Sequence, residues 1–162
     1  AEDFERQQEK IVAAINALDA SVVGLMEIEN SARLGNQPHE ALAALVGAPN
    51  DPAGHADKWA LVPSSAELPA AASQDVISNA IIYQPAEASR VGDARALGDE
   101  SATGQAFANA REPLAQLFEP ADGGEDFLFV VNHFKSKGSV GPWPGDVDKN
   151  DGQSTSNEAR VR

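Results

Sequence analysis

One stretch of the sequence decides the fold class of this chain: residues 22–30, which read VVGLMEIEN. Its first five residues are apolar or small, and a run of this length and composition predicts a buried β-strand. Glu27 follows directly, so such a strand carries a carboxylate at its carboxyl end. Burying an unpaired carboxylate is unfavourable, which leaves two interpretations: a solvated strand end, or a ligand for a divalent cation such as Mg²⁺, Mn²⁺ or Ca²⁺.

Helical and strand patterns lie on both sides of this stretch. Residues 4–18 place apolar side chains at helical spacing, and residues 39–46 predict a second helix that ends at Gly47. A last helix begins near residue 154, with Thr155 or Ser156 as its N-cap. Five further strands are expected, at 58–63, 76–83, 89–97, 113–118 and 127–133.

The segments between these elements are predicted to be loops, because Gly, Pro, Ser, Asn and Asp are concentrated there. They cover residues 47–57, 64–75, 98–109 and 136–154, and a turn at 122–125 favours a hairpin between the last two strands. The order of helices and strands predicts an α/β sandwich with mixed sheets rather than a regular doubly wound fold.

Composition excludes several classes of protein. The 162 residues suit one domain by size, and none is cysteine, so disulfides, thiolate metal clusters and a cysteine nucleophile are ruled out. No apolar run reaches the ~18 residues that a membrane span needs. A net charge of −13 disfavours nonspecific binding to nucleic acid, although six of the 12 basic residues lie from Arg111 onward.

Two basic segments contain candidate functional residues. His133 ends an apolar run and precedes a loop with Lys135 and Lys137. Histidine suits proton chemistry near neutral pH and lysines suit a phosphate, while the alternative is a structural histidine with a backbone hydrogen bond. Arg111 lies just ahead of a predicted strand, where its guanidinium could either address a phosphate or form a surface ion pair.

The acidic stretch 146–153, which reads DVDKNDGQ, resembles a calcium-binding loop in part. Asp and Asn alternate as in such loops, but Gly152 comes one place late and no glutamate stands at the final ligand position. The alternative interpretation is a flexible acidic loop without a bound ion.

Taken in order, several segments resemble the endonuclease/exonuclease/phosphatase family, which includes pancreatic deoxyribonuclease, and in particular its bacterial extracellular nuclease branch. The segments that carry the resemblance are GLMEIEN (24–30), DVISNAIIYQP (75–85), AREPL (110–114), VNHFKSKGS (131–139) and DGQ with NEAR (151–160). Each is short, and their order over most of the chain makes the likeness specific.

This resemblance implies a set of roles. Glu27 would be a catalytic residue that ligates a divalent metal, Mg²⁺ first with Mn²⁺ or Ca²⁺ as alternatives. His133 would be the catalytic histidine at the scissile phosphate. Arg111 would bind a substrate phosphate, with help from Lys135 and Lys137. The implied reaction is hydrolysis of a phosphodiester by in-line attack of an activated water.

The resemblance also implies an architecture, a four-layer α/β/β/α sandwich with mixed, mostly antiparallel sheets. Residues 1–162 would be the central part of one such domain, because the family's first strand and its C-terminal Gly-Asp-x-Asn and Ser-Asp-His segments have no counterpart here. We therefore expect the chain alone to have little or no hydrolytic activity. The family's second acidic position falls near Ile77, and Glu29 stands where pancreatic deoxyribonuclease has an arginine, so its duplex contact is not expected here.

The expected parent protein is a secreted, Mg²⁺-dependent bacterial endonuclease, located outside the cell or at its surface. Its substrate would be nucleic acid, DNA rather than RNA, with no membrane span and no obligate protein partner. Two alternatives stay open: a phosphatase or lipid phosphodiesterase of the same fold, and a non-catalytic surface or binding domain.

Overall fold

The computed structural model describes residues 2–50, 57–138 and 141–162, and in these it forms three α-helices and six β-strands. The helices are α1 (Glu2–Leu18), α2 (Glu40–Asn50) and α3 (Asn157–Val161). The strands are β1 (Val22–Glu29), β2 (Ala60–Leu61), β3 (Ile77–Tyr83), β4 (Ala88–Ala96), β5 (Leu114–Pro120) and β6 (Phe127–Val131). No helix in the described ranges is long and apolar enough to cross a membrane.

The strands form two small antiparallel sheets, which confirms the α/β prediction. The first sheet has the order β1-β3-β2 and the second the order β4-β5-β6. The predicted hairpin joins β5 to β6, with Phe118 opposite Phe127. Every neighbouring pair among the described strands is antiparallel, so the described sheets are not mixed.

Two apolar clusters hold the layers together. Ile15 of α1 and Leu42 of α2 pack on Ile82 of the first sheet, and all three are nearly inaccessible to solvent. The two sheets pack face to face through a second cluster that includes Ile81 and Phe118. The described residues therefore form a helical layer, a first sheet and a second sheet, in that order.

The structure extends one predicted helix and adds short helices within two predicted loops. Helix α2 continues through Gly47 to Asn50, because a helical glycine costs only ~1 kcal/mol relative to alanine and the helix buries Leu42 and Val46. Residues 51–56 and 139–140, which belong to two predicted loops, lie outside the described residues. The other two predicted loops contain short 3₁₀-helices, at Ala71–Ser73 and Gly98–Ser101.

Strand β6 ends at Val131, two residues before His133. Val131 pairs with Leu114, so the next position along β6 faces Pro113, which has no N–H to donate to a ladder. His133 therefore stands beyond the sheet rather than within it. The same edge of the two sheets carries the carboxyl end of β1 and the start of β3 and β5.

Candidate active site

Glu27 lies in a β-bulge at the carboxyl end of β1. The pairing with β3 shifts register between Leu25 and Ile28, and Glu27 has a φ of +60°. Non-glycine residues rarely adopt this left-handed conformation, and bulges of this kind change the direction of a side chain. The Glu27 side chain is 69% exposed, so its carboxylate stands at the edge of the sheet and is open to solvent.

His133 lies beside Glu27, although the two residues are far apart in the sequence. The distance from His133 Nε2 to Glu27 Oε1 is 3.7 Å, longer than a hydrogen bond and within reach of an ion pair when the imidazole is protonated. The His133 side chain is only 19% exposed. Its Nδ1 is buried and has no hydrogen-bond partner among the described residues. The histidine is thus largely buried just beyond the end of β6, with one nitrogen toward the exposed carboxylate.

An ion pair with Asp75 anchors Arg111 at the same edge of the two sheets. Its Nε lies 3.0 Å from Asp75 Oδ2, at ion-pair distance but without hydrogen-bond geometry. The next residue is also fixed, since the Glu112 carbonyl accepts a hydrogen bond of 2.9 Å from Asn79 Nδ2 and its carboxylate accepts one from Ser101. Asp75 engages one of the three guanidinium nitrogens. A guanidinium held in this way can present its fork to a phosphate.

The positive side chains share one cleft. Arg111, His133, Phe134 and Lys135 line a space of about 200 Å³ that is closed on another side by α3 with Arg160. This concentration of positive charge contrasts with the net charge of −13 for the chain. Such a cleft attracts anions in preference to the rest of the surface.

Lys137 does not line this cleft. Its Nζ lies 3.4 Å from the carbonyl oxygen of Gly152, and its own carbonyl accepts hydrogen bonds from the hydroxyls of Ser154 and Thr155. These contacts connect the basic loop to the segment that leads into α3. The structure therefore brings Glu27, His133, Arg111 and Lys135 to one edge and gives Lys137 contacts that stabilise the loop.

The acidic loop makes structural hydrogen bonds. Asp146 is completely buried and accepts hydrogen bonds from the backbone N–H groups of Ala159, at 2.9 Å, and Trp143, at 3.4 Å. Asp148 and Asp151 each accept one from the backbone two residues further on. These contacts use the aspartates of the loop to shape turns and to cap α3, so the calcium-loop interpretation is not supported.

Glu158, in the first turn of α3, completes this attachment. Its carboxylate pairs with Arg162 and accepts a 2.7 Å hydrogen bond from the Gly145 N–H. These two contacts lower the pKa of Glu158, with the arginine as the larger cause. The wall of the cleft formed by α3 is thus held in place by Glu158 of the helix itself and by Asp146 of the acidic loop.

The donor set near Glu27 fits one kind of metal site. In the described ranges no three acidic or histidine side chains come together as they would in an all-protein metal cage. Mg²⁺ does not require such a cage, since it keeps several waters and is bound through one or two carboxylates plus substrate phosphates. An exposed single carboxylate such as that of Glu27 suits a hydrated Mg²⁺ held in this way.

Asp75 and Asn79 are site residues that the sequence interpretation did not single out. Both lie in the 75–85 segment, whose apolar pattern indicates a strand and gives no reason to assign chemistry to its polar members. Their partners, Arg111 and the Glu112 carbonyl, lie in the loop that leads into β5 of the second sheet. Only the packing of the two sheets reveals these contacts.

Comparisons with known proteins give a limited result. No protein-family model matches the chain, and no curated protein matches it in sequence. Two solved structures are similar to it. One is ANGEL2, a 2′,3′-cyclic phosphatase, in complex with adenosine-2′,3′-vanadate, with 14% sequence identity and a TM-score of 0.46. The other is ANGEL2 alone, with 15% sequence identity and a TM-score of 0.45. Each likeness covers 77% of this chain, which spans 31% and 30% of those chains.

Proposed function

We propose that the protein containing this chain is a metal-dependent phosphodiesterase, specifically a Mg²⁺-dependent endonuclease of the endonuclease/exonuclease/phosphatase family. The observation that carries the proposal is that His133 has its Nε2 3.7 Å from Glu27 Oε1 and lines one cleft together with Arg111. These residue types combine a hard oxygen ligand, a proton-transfer group and a phosphate-binding fork. That combination matches the needs of phosphodiester hydrolysis.

Each residue has a defined task in this proposal. Arg111, anchored by Asp75, binds a non-bridging phosphate oxygen and orients the scissile group. His133 contacts the same phosphate and transfers a proton at its Nε2, the nitrogen nearer to Glu27. Glu27 would hold the Mg²⁺ ion, which when bound supplies positive charge where negative charge develops on the phosphoryl oxygens. Lys135 adds positive charge at the cleft.

The architecture proposed for the complete domain is the four-layer sandwich. The outer face of the second sheet supports it, because Val91, Leu128 and Val130 are 36%, 62% and 43% exposed there. A further layer would remove this apolar surface from water, which is favourable by ~25 cal/mol per Å². On this view residues 1–162 are the central part of the domain, and we expect them to have little or no activity alone.

Localisation and substrate follow from the family resemblance of the sequence. We propose an extracellular or cell-surface bacterial protein that cleaves DNA in preference to RNA and needs no obligate partner. The high negative charge fits weak, salt-sensitive holding of the substrate, because the net charge repels phosphates while the positive side chains of the cleft attract them.

The test is an assay of the longest natural protein that contains this chain. Cleavage of an end-labelled oligonucleotide is measured with Mg²⁺ and with EDTA, beside a phosphomonoester and a lipid phosphodiester. We expect metal-dependent cleavage of the oligonucleotide, which Glu27→Gln abolishes and the control Glu29→Gln, on the same strand, does not. Preferential hydrolysis of the monoester or lipid would favour the phosphatase or lipid phosphodiesterase. Binding without hydrolysis of any substrate would favour the non-catalytic domain.

A further inference from the structure

An aromatic ring is exposed inside the positive cleft. The Phe134 side chain is 68% exposed, the most of any aromatic side chain that the structure describes. It follows His133 directly in the sequence and lines the same cleft as Arg111 and Lys135. An exposed phenylalanine is unfavourable in water, so a ligand that covers the ring would gain the free energy of burying it.

The surroundings of the ring indicate the chemistry of that ligand. The neighbouring cationic side chains favour an anion, while Phe134 and the half-buried Phe107 supply aromatic surface within the same space. A lipid surface would need several exposed apolar side chains at one place. Of the other large apolar residues exposed among the described residues, Val161 lines this cleft, while the rest, such as Leu18, Met26 and Leu128, are spread over other elements. Positive charge interleaved with aromatic rings is typical of proteins that bind single-stranded nucleic acid.

We propose that Phe134 forms a stacking platform for an unpaired nucleobase next to the phosphate bound by Arg111 and His133. This inference rests on the proposed function and names its substrate class, single-stranded nucleic acid or an unpaired region of a duplex. In an intact duplex each base is stacked on both faces, so the ring has no free face to contact. Stacking is tolerant of base identity, because every base has a π-face, and it therefore implies little sequence preference.

The experiment measures binding without hydrolysis. Fluorescence anisotropy in EDTA compares a labelled oligothymidylate with an abasic oligomer that has the same number of phosphates, and a blunt duplex serves as a third ligand. Phe134→Leu keeps an apolar side chain and removes the ring, so we expect about tenfold weaker binding of oligothymidylate and unchanged binding of the abasic oligomer. Phe134→Trp is expected to restore or strengthen binding of oligothymidylate.

A matched control uses Phe127, which is 37% exposed at the other end of β6 and stacks on Phe118. Phe127→Leu should leave the preference for oligothymidylate over the abasic oligomer unchanged. The proposal is overturned if wild-type protein does not bind oligothymidylate, if it binds the abasic oligomer or the duplex as tightly, or if Phe134→Leu weakens both oligomers equally. If the preference for oligothymidylate depends on Phe134 in a protein that hydrolyses none of the substrates tested, the proposed function is refuted and the stacking proposal stands.

Discussion

Removal of the Asp146 carboxylate should weaken the attachment of α3, which forms one wall of the cleft. This carboxylate is completely buried and accepts a 2.9 Å hydrogen bond from the N–H of Ala159, in the first turn of α3. Ser156 occupies the N-cap position without a side-chain capping bond, so Asp146 performs the capping role from a distant position in the sequence. A second bond of 3.4 Å comes from the Trp143 N–H. Asp146→Ala removes both acceptors together.

The expected magnitude follows from these contacts. Loss of a helix cap lowers the free energy of unfolding by ~1 kcal/mol, and a second buried donor left without an acceptor adds ~1–2 kcal/mol. We therefore expect Asp146→Ala to reduce the free energy of unfolding by about 2–3 kcal/mol. For a domain of this size the corresponding fall in Tm is about 5–10 °C.

Urea unfolding followed by circular dichroism measures this loss, with thermal melting as a second readout. Asp148→Ala is the matched control, since Asp148 lies in the same loop, is exposed and contacts only the N–H of Asn150 among the described hydrogen bonds. We expect the control to change the free energy of unfolding by under ~0.5 kcal/mol. Equal stability of Asp146→Ala and wild type, or equal losses in the two variants, would refute this account of the acidic loop.

Three other perturbations have defined outcomes. A Cβ on Gly24 would lie 2.7 Å from a methyl carbon of Val131, so Gly24→Ala should overpack the two sheets and lower the urea-derived free energy of unfolding by ~1–3 kcal/mol. Burial lowers the pKa of His39 below its ordinary 6.5, so the free energy of unfolding should fall as the pH drops through that value. His39→Gln, whose side chain can still accept a hydrogen bond from the Ser64 N–H, should abolish this part of the pH dependence of Tm. The pKa of Glu67 is lowered by a hydrogen bond from a backbone N–H of β4 and by a neighbouring arginine. Glu67 therefore stabilises the fold above its ordinary pKa of 4.5, and this stabilisation is lost as the pH falls below that value. Glu67→Gln should reduce the fall of Tm at acid pH, and an unchanged fall of Tm would contradict this assignment.

Periodicity predicted most of the elements because each buries an apolar face. The run before Glu27 and the segments that became β3 to β6 all contribute to the two apolar clusters. The ends of the helices and strands were harder to predict, because each end depends on the residues that pack beside it. Strand β6 stops short of His133, since the next position along β6 faces Pro113, which cannot donate a hydrogen bond. Helix α2 passes Gly47 because tertiary packing outweighs a small difference in propensity.

The site was predicted in its residue types and not in its supporting contacts. Glu27 and His133 were singled out by their positions at strand ends, and the structure places them 3.7 Å apart. The partner of Arg111 could not be inferred, since Asp75 lies far away in the sequence, just before β3 of the first sheet. The buried role of Asp146 was also missed, because a run of aspartates in a loop gives no sign of which one is enclosed.

The central claim is that Glu27 and His133 act at one site on one phosphate. A double-mutant cycle on kcat/KM for oligonucleotide cleavage, in the longest natural protein that contains the chain, tests it most directly. Glu27→Gln and His133→Ala should each lower kcat/KM by at least ~100-fold, and the double variant should be little worse than the poorer single variant because the residues act as a unit. Losses that multiply in the double variant, or a wild-type rate in either single variant, would contradict the account.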